Sequence, residues 1–120
     1  MRTEFTDTIR KPEYILPSEV LKEYGWIQAE YGDKCQGLCV MGAIYFSYEG
    51  KDMRERGGEW VRPVGQFDDI LKLTHAIASQ AELLYPSSDT LVSWNDTEGR
   101  TAEEVIDAVE AAEKELGWRS

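Results

Sequence analysis

The chain has 120 residues, 42% hydrophobic and 30% charged, with 23 acidic against 13 basic side chains and a net charge of −10. Such a chain is one globular domain whose core needs no metal or disulfide staple. Its acidity disfavours direct contact with nucleic-acid backbones or anionic membranes; plain solubility explains it, and docking to a basic protein face is open.

Residues 1–16 mix charge, Thr and Pro and read as an N-terminal arm, held to the body through Phe5, Ile9, Tyr14 and Ile15. The remaining 17–118 read as a single helical domain. Pro17-Ser18-Glu19 is a helix start, with Ser18 as the expected N-cap and Glu19 suited to the positive end of the dipole. Val20, Leu21 and Tyr24 form its apolar stripe, and Gly25 supplies a left-handed stop. Residues 26–34 alternate loosely and end in a turn signal at Tyr31-Gly32-Asp33-Lys34, which fits a short strand or an irregular extended loop.

Residues 38–48 are the most apolar segment. Cys39, Ala43 and Phe46 share one side at helical spacing, so a buried helix is expected, with a buried strand as the competitor. Residues 49–66 are rich in Gly and carry Arg54, Arg56 and Arg62, which reads as a loop. Residues 68–85 give the clearest core helix, with Ile70, Leu73, Ile77, Ala81 and Leu84 along one face and Pro86 as terminator. Residues 87–100 read as a connector around an apolar knot of Leu91, Val92 and Trp94. The last helix is expected over 101–116, opened by a Thr101–Glu104 capping box, buried through Val105, Val109, Ala112 and Leu116, and closed by Gly117 with Trp118 folded back. The sum is a mainly α fold: a compact bundle of about four helices with an irregular or short β element near residues 26–34.

Candidate chemistry is sparse. Cys35 and Cys39 stand four apart, but two cysteines and the single His75 fall short of a tetrahedral zinc set, and the spacing is not that of a redox pair. No metal and no cofactor is expected. A cysteine nucleophile needs a thiolate at a helix start with a histidine in reach, and His75 lies off the apolar stripe of its own helix. No phosphate-binding glycine loop occurs. The longest apolar run is too short for the roughly 20 residues of a bilayer span, and the start of the chain lacks a signal-peptide core. A cytoplasmic protein with reduced thiols is the expectation.

The most suggestive stretch is Trp94-Asn95-Asp96 followed by Arg100-Thr101, placed ahead of the last helix. Free amides at a helix N-terminus together with Arg100 suit an anion such as a phosphate. The structural reading assigns each residue a local role: Trp94 plugs the core, Asp96 turns the chain or pairs with Arg100, and Thr101 caps. No catalytic residue is assigned.

Gly25-Trp26, Cys39-Val40-Met41-Gly42-Ala43-Ile44, Trp94-Asn95-Asp96 and Arg100-Thr101-Ala102-Glu103-Glu104-Val105 follow one another in this order. Over roughly residues 18–116 the chain resembles a family of small uncharacterised proteins from actinobacteria and their bacteriophages. The resemblance implies such an origin, in the host cytoplasm if phage-encoded, and a folding signature at Cys39, Gly42, Ala43, Trp94, Asn95, Asp96, Arg100 and Thr101. It implies no activity. Cys35 and the longer N-terminal arm depart from the family pattern. The leading expectation is a small acidic non-enzymatic binding protein, a phage accessory or counter-defence factor engaging a host or phage protein, with homodimerisation open. The alternatives are a protein that sequesters a nucleotide or phosphate, and a cysteine-dependent enzyme.

Overall fold

The computed structural model describes residues 9–30, 32–50 and 67–119. The described chain is mainly helical with one small β element, in the order α1 (Pro17–Tyr24), β1 (Gly32–Asp33), β2 (Gly37–Leu38), α2 (Val40–Glu49), α3 (Phe67–Gln80), α4 (Ser88–Asn95) and α5 (Ala102–Glu115). The fold class is therefore the one expected. Phe5, Tyr31 and the loop arginines Arg54, Arg56 and Arg62 lie outside the described residues.

Helix α2 is the centre. Residues 40–48 are all buried, and α1, α3, α4 and β2 pack around it, while α5 closes the bundle against α1 and α3. A helix wins over the competing strand because Cys39 starts it: the Cys39 Sγ accepts the Gly42 amide at 3.3 Å, and Gly50, in the left-handed region, ends it. Two buried hydroxyls on the core helices satisfy themselves within their own turns, Ser47 donating to the Ala43 carbonyl and Thr74 to that of Ile70. Ile70, Leu73 and Ile77 bury the expected face of α3, each contributing about 1.5–3 kcal/mol relative to exposure.

Residues 26–38 supply the β element. β1 and β2 pair antiparallel with Gly32 opposite Leu38 and Asp33 opposite Gly37, and Trp26 forms a parallel bridge to Leu38. Leu38, expected in the helix, thus belongs to a strand. A Cβ at Gly32 would stand 1.9 Å from the Gly37 carbonyl oxygen, so only glycine fits there. Buried Asp33 organises the turn by accepting the amides of Cys35 and Gln36 at 2.8 and 2.9 Å.

Four local expectations are corrected. Ser18 is not the cap of α1: the helix begins at Pro17 with Leu16 as N-cap, and Ser18 turns inward to Glu113. Helix α3 ends at Gln80, so Ala81 and Leu84 do not extend its buried face. A C-terminal cap stops it, with Glu82 at φ 61° and the amides of Glu82 and Leu83 returning to the Ser79 and Ala78 carbonyls. Leu84 is left 83% exposed. Residues 88–95, expected as connector, form α4 and bring the described residues to five helices where about four were expected, because Ser87 and Thr90 make a reciprocal cap that outweighs mediocre helix formers. Trp94 and Asn95 consequently occupy the last turn of α4 rather than a loop ahead of α5.

The N-terminal arm meets the body through buried Ile9 and half-buried Ile15, and through the Tyr48 phenol, which donates to the Arg10 carbonyl. Burial pushes that phenol above its usual range. Tyr14, expected to pack, is 61% exposed.

Candidate functional site

Helix α4 is eight residues long, and Leu91 and Asn95 stand four apart on its inward side, one turn above the other. Asn95 is 1% exposed. Its Oδ1 accepts the Trp26 indole N–H at 2.7 Å and the Val40 amide at 3.0 Å, and its Nδ2 donates to the Ile27 carbonyl and to Asp96 Oδ1. One side chain therefore joins three pieces: the extended segment after α1, the first turn of α2 and the end of α4. Asp96 adds a clamp by accepting the Ala29 amide at 2.9 Å. The Gln28 amide closes the circuit from the other side, donating to the Asn95 and Thr97 carbonyls.

Arg100 and Thr101 do not join that node. The Arg100 guanidinium lies over the Trp94 ring, 4.5 Å from its centroid, donates from Nε to the Trp94 carbonyl and pairs with Glu104. The expected Asp96–Arg100 pairing is replaced by these contacts. Thr101 and Glu104 form the reciprocal capping box expected from the sequence. The Thr101 amide, followed by that residue's hydroxyl and Arg100, holds the Glu104 carboxyl below the usual carboxylate range. Trp94 is half-buried against the core edge. The five residues thus divide into a node of buried Asn95 and exposed Asp96, a stack of Arg100 on Trp94, and the Thr101 cap. The anion cradle expected at the start of α5 is filled by that helix's own Glu104.

Beside the node lies a hollow of about 140 Å³ lined by Ala29, Glu30, Cys39, Val92 and Asp96. Its charge is acidic, which disfavours a phosphate there. Cys39 is buried, and burial pushes its thiol up to about 11, ahead of the opposing pull of the Gly42 amide. A thiol so placed stays protonated at neutral pH and is a poor nucleophile. Cys35 lies exposed in the β1–β2 turn, and His75 is half-buried on α3. In the folded protein at pH 7.5, iodoacetamide is expected to modify Cys35 alone, and Cys39 only after urea is added. Intact-mass spectrometry counts the adducts, and rapid double labelling of the native chain would contradict the buried-thiol geometry.

A second polar centre escaped the sequence reading. Glu113 on α5 is fully buried and accepts the Ser18 amide at 2.9 Å and the Ser18 hydroxyl at 2.5 Å, while Arg119 donates to it at 3.2 Å. A carboxylate is thereby set against the N-terminus of α1, where the helix dipole and free amides favour it. The signal was present: Val105, Val109 and Glu113 step by four, which puts a charge on the buried stripe. Among the described residues no three His, Cys, Asp or Glu side chains are grouped to hold a metal, and no helix is long and apolar enough to cross a membrane.

Fold and site together define a small mainly α domain locked by two buried polar centres, with a half-buried ring and guanidinium stacked at one edge. The chain belongs to the family of unknown function DUF6197, which its sequence matches over residues 18–115. No curated protein and no solved structure matches it.

Proposed function

We propose that this chain is an acidic, non-enzymatic protein-binding module, and that its source is an actinobacterium or an actinobacterial phage, where it serves as an accessory factor acting on a host protein. The observation that carries the reading is the α3–α4 loop. Leu84 and Tyr85 are 83% and 76% exposed, side by side, on a loop fixed at both ends. The cap of α3 holds one end; at the other, the Thr90 hydroxyl donates to the Tyr85 carbonyl at 2.8 Å. Large apolar groups presented on a held backbone lower the entropy lost on association. Tyr, Trp and Arg are the residue types that anchor interfaces, and Tyr85 on this loop and the Trp94–Arg100 stack supply them.

The alternatives have less support. A phosphate binder needs Arg100 and the amide ahead of α5, and Glu104 already engages Arg100 and the Thr101 amide. A cysteine enzyme needs a thiolate at Cys39, which burial opposes.

The test is affinity capture at low salt from a lysate of the source organism, comparing the wild-type chain with its L84D/Y85D variant. A discrete partner held by the former and lost by the latter is expected. Identical capture by both, or none by either, would remove the reading.

A further inference from the structure

Trp94 lines two hollows. The first, of about 360 Å³, is bounded by Leu83, Asp89, Thr90 and Ser93. The second, of about 420 Å³, runs between α3 and α5 and includes Ala81, Glu104, Asp107, Ala108 and Ala111. They meet at Trp94 as one trough, whose apolar lining residues are Leu83, Ala81, Trp94, Ala108 and Ala111. Leu84 and Tyr85 stand at the end that Leu83 helps to form, as its immediate successors in the chain.

The rim of this trough has one sign. Asp89, Glu104 and Asp107 are all exposed along it. The cation that lines it, Arg100, is already stacked on Trp94 and paired with Glu104. An apolar floor between carboxylate rims matches a segment that is apolar on one face and cationic on its flanks. Such a segment gains from both walls, whereas an acidic one meets uncompensated repulsion.

Resting on the protein-binding reading above, we infer that the occupant of this trough is a Lys- or Arg-rich amphipathic helix of the partner, laid across Trp94 with its apolar face down. Its leading apolar residues meet Leu84 and Tyr85, and its cations reach Asp89 and Asp107. Trp94, held by the stacked Arg100 that lines the second hollow with it, is the platform.

The probe is an amidated peptide of about 14 residues built from Lys and Leu, with leucines at helical i, i+3, i+4 spacing. A Glu/Leu peptide and a Lys/Ser peptide of equal length serve as controls. In nitrogen-edited NMR of the full chain, the Lys/Leu peptide is expected to shift the Trp94 indole and the amides of Thr90, Ser93, Ala108 and Ala111 in a saturable way. Both controls should bind at least about tenfold more weakly. The D89N/D107K variant should lose about tenfold in affinity for the Lys/Leu peptide, and D107K alone a smaller factor. Shifts spread evenly over the acidic surface, or equal binding by the charge variants, would overturn the inference. If a captured partner is lost with L84D/Y85D yet held normally by D89N/D107K, the trough assignment falls and the binding reading stands. If nothing is captured, that reading falls, and the peptide titration still decides the trough.

Discussion

Replacing Glu113 with Ala is expected to destabilise the domain by about 3–5 kcal/mol, the range for breaking a buried charged centre by removing one partner. The loss leaves the Ser18 amide and the Ser18 hydroxyl without their acceptor inside the α1–α5 interface, and takes one of two acceptors from the Arg119 Nη1, which still reaches Ser18 Oγ. Each buried donor so stranded costs about 1–3 kcal/mol. Since a domain of this size has about 5–15 kcal/mol in total, the variant is at the edge of folding. Ser18→Ala is the milder companion. It keeps the carboxylate, the backbone donor and the Arg119–Glu113 contact, and removes the hydroxyl that donates to Glu113 and accepts from Arg119, for about 1.5–3 kcal/mol. Urea denaturation at neutral pH reads both as shifts in midpoint at constant slope. A Glu113→Ala cost under about 1 kcal/mol would mean that water replaces the carboxylate and that the centre is not closed.

Asn95→Ala should cost a similar amount, about 3–4 kcal/mol, for a different reason. No charge is buried, but the Trp26 indole N–H and the Val40 amide both lose their acceptor. The damage is spatially distinct: the 26–29 segment and the first turn of α2 loosen, while α5 keeps its cap. Amide exchange at Val40 and Ala29 should therefore quicken more than exchange at Val105. Asn95→Asp separates geometry from charge. A carboxylate still accepts from Trp26 and Val40, but it faces the Ile27 carbonyl and the Asp96 carboxylate where an amide once donated. Its folded-state pKa is raised relative to the unfolded chain. Stability is therefore lower at neutral pH and recovers, relative to wild type, as pH falls through that raised value. A flat difference between the two proteins from neutral to acidic pH would contradict this arrangement.

The two centres explain why some of the molecule was readable in advance. Capping signals are local, and Thr101–Glu104 and Gly117 act as expected because every partner lies within one turn. The stripe Ile70, Leu73, Ile77 needed only its period. Helix α4 was missed because its cap depends on Thr90 serving as both donor and acceptor, a role that Ser87-Ser88-Asp89-Thr90 shares with many loops. The overlong reading of α3 had a similar origin: Leu84 continued the apolar period, but nothing in the pattern marked Glu82 as the residue that turns the chain left-handed. Reading Trp94 to Thr101 as one unit grouped residues that the fold sends to different places. Asn95 goes inward to the 26–29 segment and α2, and Arg100 outward onto Trp94.

What the residues settle unaided is the class of fold, most of the helix ends and the apolar faces, because periodicity and capping act over a few positions along the chain. What needed three dimensions is the partner of each buried polar atom: Glu113 with Ser18, ninety-five positions away, and Asn95 with Trp26, sixty-nine away. Hydrogen bonds over such separations leave no spacing to read, since their geometry exists only after the helices have packed.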